Sequence, residues 1–153
     1  MAHRAIKLTH LLIASEEAII LSGFTYNCLA FRREADIMRS TVCNTNIEYR
    51  SPEMQPICSE VWPYDAKSSD MYALGVCLFM MVNRDPPFDI DLYSTDQVAY
   101  INKQRNRDYS FNPNYTQYTN GKIKHLIFLL LNPTSGMRIN ASTALLHEAL
   151  LPE

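Results

Sequence analysis

The stretch Ser69-Asp70-Met71-Tyr72-Ala73-Leu74-Gly75-Val76-Cys77-Leu78-Phe79-Met80-Met81-Val82-Asn83 is apolar on nearly every helical face and carries a single charge, Asp70, near its start. A helix with no polar stripe is packed at the centre of a domain, because a surface helix keeps one face for water. Its unbroken apolar run, Met71 to Val82, falls short of the roughly 18 to 20 residues that cross a bilayer. The other elements must therefore surround this helix. Downstream, Ser94 with Gln97 has capping-box spacing and opens an amphipathic segment through about Arg105. Ile123, Leu126, Ile127 and Leu130 follow the i, i+3, i+4, i+7 rule, and Asn140 is an N-cap for a last helix carrying Leu145, Leu146, Ala149 and Leu150. Upstream, Leu11 to Ile13 and Ala18 to Leu21, separated by Ala14-Ser15-Glu16-Glu17, form a small hairpin. From Ser22 to about Pro63 no periodicity survives. A loop that long inside one domain is uncommon and is usually functional or disordered.

The chain has 153 residues, a single-domain length, with 47% hydrophobic and 20% charged residues, which is ordinary for a folded globular chain. Fourteen Lys and Arg against sixteen Asp and Glu leave a formal charge of -2, too balanced to attract a nucleic-acid backbone or an anionic membrane. Neither nucleic acid nor membrane is an expected partner. No signal peptide is expected, since Met1 to His10 carries basic residues and no small-residue cleavage site follows. The four cysteines, Cys28, Cys43, Cys58 and Cys77, are spread singly, without a C-x-x-C pair, as reduced thiols in a cytoplasmic protein are. The sequons at Asn114 and Asn140 would matter only in a secreted chain.

Five motifs stand in order along this framework. They are His3-Arg4-Ala5-Ile6-Lys7-Leu8-Thr9-His10; Gly23-Phe24-Thr25; Tyr49-Arg50-Ser51-Pro52-Glu53; Asp70-Met71-Tyr72-Ala73-Leu74-Gly75-Val76 with Asp85-Pro86-Pro87-Phe88-Asp89 after it; and Asn132-Pro133 with Arg138, Ala141, Leu145 and His147. The set resembles the C-terminal lobe of eukaryotic Ser/Thr protein kinases: the H-R-D-L-K-x-x-N catalytic loop, the D-F-G, the end of the activation segment, the opening of the central helix and the D-P-x-x-R-x-T-A-x-x-x-L-x-H signature. Arg138 lies about two residues later than the family habit. Within the family, Trp62 to Asp70, Met80-Met81-Val82 and Pro87-Phe88-Asp89 are similar to the testis-specific serine kinases of the calcium/calmodulin-kinase-like group.

The resemblance implies a mainly α fold, a kinase C-lobe over residues 1–153. It would comprise a catalytic-loop-like segment and hairpin (1–22), an activation-segment-like loop (23–53) and a helical subdomain (54–153). The Gly-rich loop, V-A-I-K lysine and helix-C glutamate of an N-lobe are not among its motifs. It also implies structural roles: Glu53 and Arg138 as the pair tying the end of the activation segment to the helices, Asp70 as the carboxylate that holds the catalytic-loop amides, and Arg4 as the arginine that receives an activation-loop phosphate.

The chemical positions depart from the family. Phosphoryl transfer needs an aspartate at the substrate hydroxyl and two side chains that hold magnesium. Here the base position is Ala5, the first metal position is Gly23 with no side chain, and the second is His10, a nitrogen donor poorly matched to magnesium. Loss of a general base alone costs about 10²- to 10⁴-fold. Only Lys7, which in the family contacts the transferred phosphate, is retained. A metal site built from His3, His10 and His125 is rejected, and Cys28, Cys43 and Cys58 lack the positive surroundings that would activate a thiol. Arg32 and Arg33 read as a solvated loop face.

The expectation is a pseudokinase C-lobe acting as a protein-binding or regulatory module, with no cofactor, although the family uses ATP and magnesium. Its partner would be a protein, such as an active kinase or a substrate of one. The alternatives are a Ser/Thr kinase fragment with residual or partner-supplied phosphotransfer, and a product without a role. Ser40, Thr41 and Thr45 are the expected phosphorylation sites. The hairpin, with Leu11, Leu12, Ile13, Ile19, Ile20 and Phe24, is expected to present apolar side chains for self-association or a partner, unless the long loop folds back over it.

Overall fold

The computed structural model describes residues 1–16, 18–24, 28, 39–40, 45–55, 63–117 and 119–151. Strands β1 (Leu11–Ser15) and β2 (Ala18–Leu21) form the antiparallel hairpin, with Leu12 opposite Ile20 and Ile13 opposite Ile19. The helical part begins with α1 (Ala66–Asn83) and continues through α2 (Ile90–Thr95), α3 (Gln97–Asn106), α4 (Pro113–Thr116), α5 (Gly121–Leu130) and α6 (Ala141–Ala144). No described helix is long and apolar enough to cross a membrane.

Helix α1 is the axis of the core. Its Tyr72, Ala73, Val76, Cys77 and Phe79 are buried with Phe88, Tyr100, Ile127, Leu131 and Tyr49. Burying aliphatic or aromatic side chains of this size stabilises by about 1.5–3 kcal/mol each, which is why a helix without a polar face is stable only here. It starts earlier than the apolar pattern suggests. Asp65 caps it, its Oδ1 accepting from the amides of Lys67 and Ser68 at 3.0 and 3.5 Å, and so draws the polar residues Lys67 and Ser68 into the first turn. The other end is closed by Arg84 in the left-handed region (φ 67), whose amide donates to the Met80 carbonyl at 2.8 Å.

Three sequence expectations change. The segment expected to open at Ser94 is two helices, because Asp96 is extended (φ -149, ψ 90) and its carboxylate, not the Ser94 hydroxyl, caps α3 through the amide of Ala99 at 2.9 Å. Asn140 does cap the last helix, accepting from the amide of Thr143 at 2.9 Å, but α6 ends at Ala144 and leaves Leu145, Leu146 and Leu150 exposed. The stretch Ser22 to Pro63 is not structureless throughout. Strand β3 (Arg39–Ser40) pairs antiparallel with β4 (Tyr64–Asp65), and 3₁₀ turns at Ile47–Tyr49 and Pro52–Met54 bury Tyr49, Pro52 and Met54. Tertiary contacts anchor residues 45–55 where no local periodicity could.

Gly75 lies where α1 crosses α5, and a Cβ there would come within 2.7 Å of the Leu130 Cβ. We expect Gly75→Ala to lower unfolding free energy by about 1–3 kcal/mol, as overpacking does, and Gly121→Ala, in open space at the start of α5, not to lower it. Urea titration of both variants checks the contrast.

Candidate functional site

The N-terminal segment is positioned by one carboxylate. Asp70, on the first turns of α1, accepts from the His3 amide at 2.6 Å and from the Arg4 amide at 2.8 Å. Those two bonds hold Arg4 in the left-handed region (φ 61), which a residue with a Cβ adopts only when its surroundings demand it. Ala2, His3, Arg4 and Ala5 are all buried as a result. Burial pushes the Asp70 carboxyl above its ordinary value of 3.8, against the pull of the two amides.

The imidazole of His3 extends the anchoring. Its Nε2 donates to the Ser22 carbonyl at 2.9 Å and its Nδ1 accepts from the Ala5 amide at 3.3 Å, so both ring nitrogens are used by the neutral tautomer. Ser22 returns a bond from its amide to the His10 carbonyl at 2.8 Å. The chain entering β1 and the chain leaving β2 are thereby fastened together below the hairpin.

Ala5, His10 and Gly23 meet. His10 Nδ1 donates to the Ala5 carbonyl at 2.7 Å, and its ring lies against Gly23 so closely that a Cβ there would sit 2.6 Å from Nδ1. Gly23 itself has φ +83, a conformation that side-chain-bearing residues rarely adopt. Magnesium requires several oxygen ligands in octahedral array. The donors here do not fit it: Gly23 offers no side chain, one nitrogen of His10 is committed to a carbonyl, and the imidazole fills the space in which a side chain at position 23 would begin.

Glu53 and Arg138, 85 residues apart, form a bidentate pair at 2.7 and 2.9 Å. The same guanidinium donates to the carbonyls of Ser68 at 2.7 Å, Asn132 at 2.8 Å and Pro133 at 3.5 Å, and lies 5.0 Å from the centre of the Tyr72 ring. Its side chain is 0% exposed against 21% for Glu53. The motifs do not say that these carbonyls accept from Arg138; only their closeness to it in the fold reveals the contacts.

Other expected positions are not brought together. Of the phosphorylation candidates, Thr41 and the Ser40 side chain lie outside the described residues, and Thr45 is buried. Cys43, Cys58, Arg32 and Arg33 lie outside the described residues. The Cys28 thiol donates to the His3 carbonyl at 3.7 Å, and Cys77 is in the core, where burial pushes its thiol up to about 12. His125 bonds to His147 at 3.0 Å rather than joining His3 and His10. Among the described residues no three His, Cys, Asp or Glu gather as metal ligands. The hairpin residues Leu12, Ile13, Ile19, Ile20 and Phe24 are exposed, Ile13 to 84%, while Leu11 is partly covered.

The pattern of the protein kinase domain matches residues 1–150. Testis-specific serine/threonine-protein kinase 2 of Mus musculus is 30% identical over 99% of this chain and 40% of its own length. The phosphorylase b kinase gamma catalytic chain, liver/testis isoform, of Mus musculus is 30% identical over 96% of this chain and 34% of its own. CBL-interacting serine/threonine-protein kinase 7 of Arabidopsis thaliana is 26% identical over 95% and 30%. The chain thus spans well under half the length of these relatives.

The raised Asp70 carboxyl gives a pH test. The folded protein holds this proton more tightly than the unfolded chain, so the contribution of Asp70 to stability is greatest below the ordinary carboxyl value of 3.8 and falls as pH rises through the folded value. Denaturant midpoints of the wild type and Asp70→Asn should draw together as pH increases from 3.5 to 7. A gap that widens over that range would mean the two amide bonds outweigh burial.

Proposed function

The chain belongs to the protein kinase family, and from that premise we propose that it is a catalytically inactive C-lobe that works by binding proteins. The observation that carries the reading is the His10 imidazole packed onto Gly23, with a Cβ at that glycine only 2.6 Å from Nδ1. The matching positions for both metal ligands are thereby turned into a packing contact, and Ala5, at the matching position for the base, presents a methyl group. The scaffold contacts persist beside them: Asp70 on the His3 and Arg4 amides, and Glu53 on Arg138. In this reading no ATP or magnesium is used, and the protein acts in the cytoplasm, where its thiols stay reduced.

The competing reading is a fragment of a Ser/Thr kinase whose phosphotransfer is completed by another polypeptide. The retained scaffold and Lys7 favour it. Against it, Ala5, His10 and Gly23 belong to this chain, so a second lobe would leave all three unchanged.

The purified chain is expected to transfer no radiolabelled γ-phosphate to Ser, Thr or Tyr substrates with magnesium or manganese present. Transfer above the buffer blank that Lys7→Ala abolishes would establish the enzyme reading instead.

The exposed hairpin supplies the proposed contact surface. Leu12 and Ile20 pair on one face of the ribbon and Ile13 and Ile19 on the other, so both faces are apolar. Self-association at tens of micromolar should appear in light scattering and be reduced by Leu12→Asp or Ile20→Asp. A monomer unaffected by either substitution would remove the hairpin from this role.

A further inference from the structure

The loop between α3 and α4 holds a charge pattern that the proposed function does not use. In Arg105-Asn106-Arg107-Asp108-Tyr109-Ser110-Phe111 two arginines stand five and three residues before a serine, and Ser110 is the only Ser or Thr of the chain with an arginine three residues before it.

The fold delivers that serine to the surface. Arg107 adopts the left-handed conformation (φ 54, ψ 39) and ends α3, its amide donating to the Gln104 carbonyl at 3.3 Å while the Asp108 amide donates to that of Lys103 at 2.9 Å. The chain then passes through residues 108–112 outside helix, strand and turn. Its side chains alternate there: Tyr109 and Phe111 are partly buried against the core beside Phe79, and Ser110 between them is exposed. Among the described residues neither the hydroxyl nor the backbone of Ser110 has a hydrogen-bond partner, so modifying it breaks no described contact.

Both arginines are within reach of a partner. Arg105 is exposed on the last turn of α3, and terminal turns open at low cost. The Arg107 guanidinium lies 4.0 Å from the centre of the Phe128 ring, which is itself 46% exposed. Neither forms an ion pair among the described residues, whereas the neighbouring acid, Asp108, is paired with Lys103 at 3.8 Å.

We propose that Ser110 is a phosphorylation site for a second protein kinase, one whose substrate groove presents carboxylates to Arg105 and Arg107. A planar guanidinium engages a carboxylate through two parallel N–H···O bonds, so arginines at fixed spacing from a hydroxyl position it as well as bind it. In the transfer the bond from the γ-phosphorus of ATP to its bridging oxygen breaks, its electron pair leaving on ADP. The Ser110 Oγ–P bond forms, and the hydroxyl proton passes to the modifying kinase's aspartate. The product sets about 1.5 to 2 negative charges on a surface where Arg107 and Lys124, the latter 5.4 Å from the centre of the Phe111 ring, supply positive ones. The proposal goes beyond the reading of the chain as an inactive module and does not depend on it.

The test incubates the folded full chain with ATP, magnesium and a purified kinase that phosphorylates R-x-R-x-x-S peptides, beside an acid-directed kinase and a sample with no added kinase. Phosphopeptide mass spectrometry is expected to place phosphate on Ser110 with the arginine-directed enzyme at least tenfold above the other two samples. Ser110→Ala should remove it. Arg107→Asn, which keeps a residue suited to left-handed backbone, should slow it at least tenfold, and Arg105→Gln severalfold. Thermal melts establish that each variant is folded, and the exposed Arg105→Gln carries the test if Arg107→Asn is not. A free peptide of residues 103–113 that is modified while the folded chain is not would overturn the site, because the fold would then close it. Rates that neither arginine substitution changes would overturn the arginine-directed recognition. Phosphate on Ser110 without added kinase would overturn the second enzyme, and only there would the inactive reading fail with it.

Discussion

The guanidinium of Arg138 has five N–H groups, and the fold supplies an acceptor for each: both oxygens of Glu53 and the carbonyls of Ser68, Asn132 and Pro133. That arrangement binds the turn Pro52–Met54, the first turn of α1 and the loop before α6 to one planar group. A buried cation is tolerated only when its donors are met, and removing one partner of such a pair typically costs about 3–5 kcal/mol. Lysine could not substitute, because a single ammonium cannot serve acceptors arrayed around a plane.

A second buried polar contact governs the opposite end of the site. Asp70 belongs to the same helix as Ser68, so the helix fixed by Arg138 also carries the carboxylate that clamps His3 and Arg4. The left-handed Arg4 is held by contacts made 66 residues away. Position along the central helix thus sets the N-terminal segment, and that segment sets where Ala5, Lys7 and His10 stand.

Scaffold and chemistry respond differently to substitution in such an arrangement. The Glu53–Arg138 and Asp70 contacts are largely buried and energetically costly to lose, so folding is by itself a reason to keep them. The groups matching the base and metal positions face a cavity and a glycine contact, where a methyl group or an imidazole packs without unfolding the chain. A lobe can therefore keep its architecture with an alanine, a histidine and a glycine at these three positions.

By itself the sequence determined what local rules encode. The absence of a polar face on Ser69–Asn83 placed that helix at the centre, the spacing of Ile123 to Leu130 marked α5, and two apolar runs around Ala14–Glu17 marked the hairpin. The motif order put Glu53, Asp70 and Arg138 forward as structural residues and Ala5, His10 and Gly23 as altered ones. Tertiary structure alone decided the rest. Asp96 divides a segment whose periodicity looked continuous, since a carboxylate cap competes with helical continuation at the scale of one turn. The burial of Thr45, the orphaned state of its hydroxyl and the seating of His10 on Gly23 depend on residues far apart in the chain. Periodicity reports which face of a segment is apolar; it has no term for which distant side chain will fill the space in front of it.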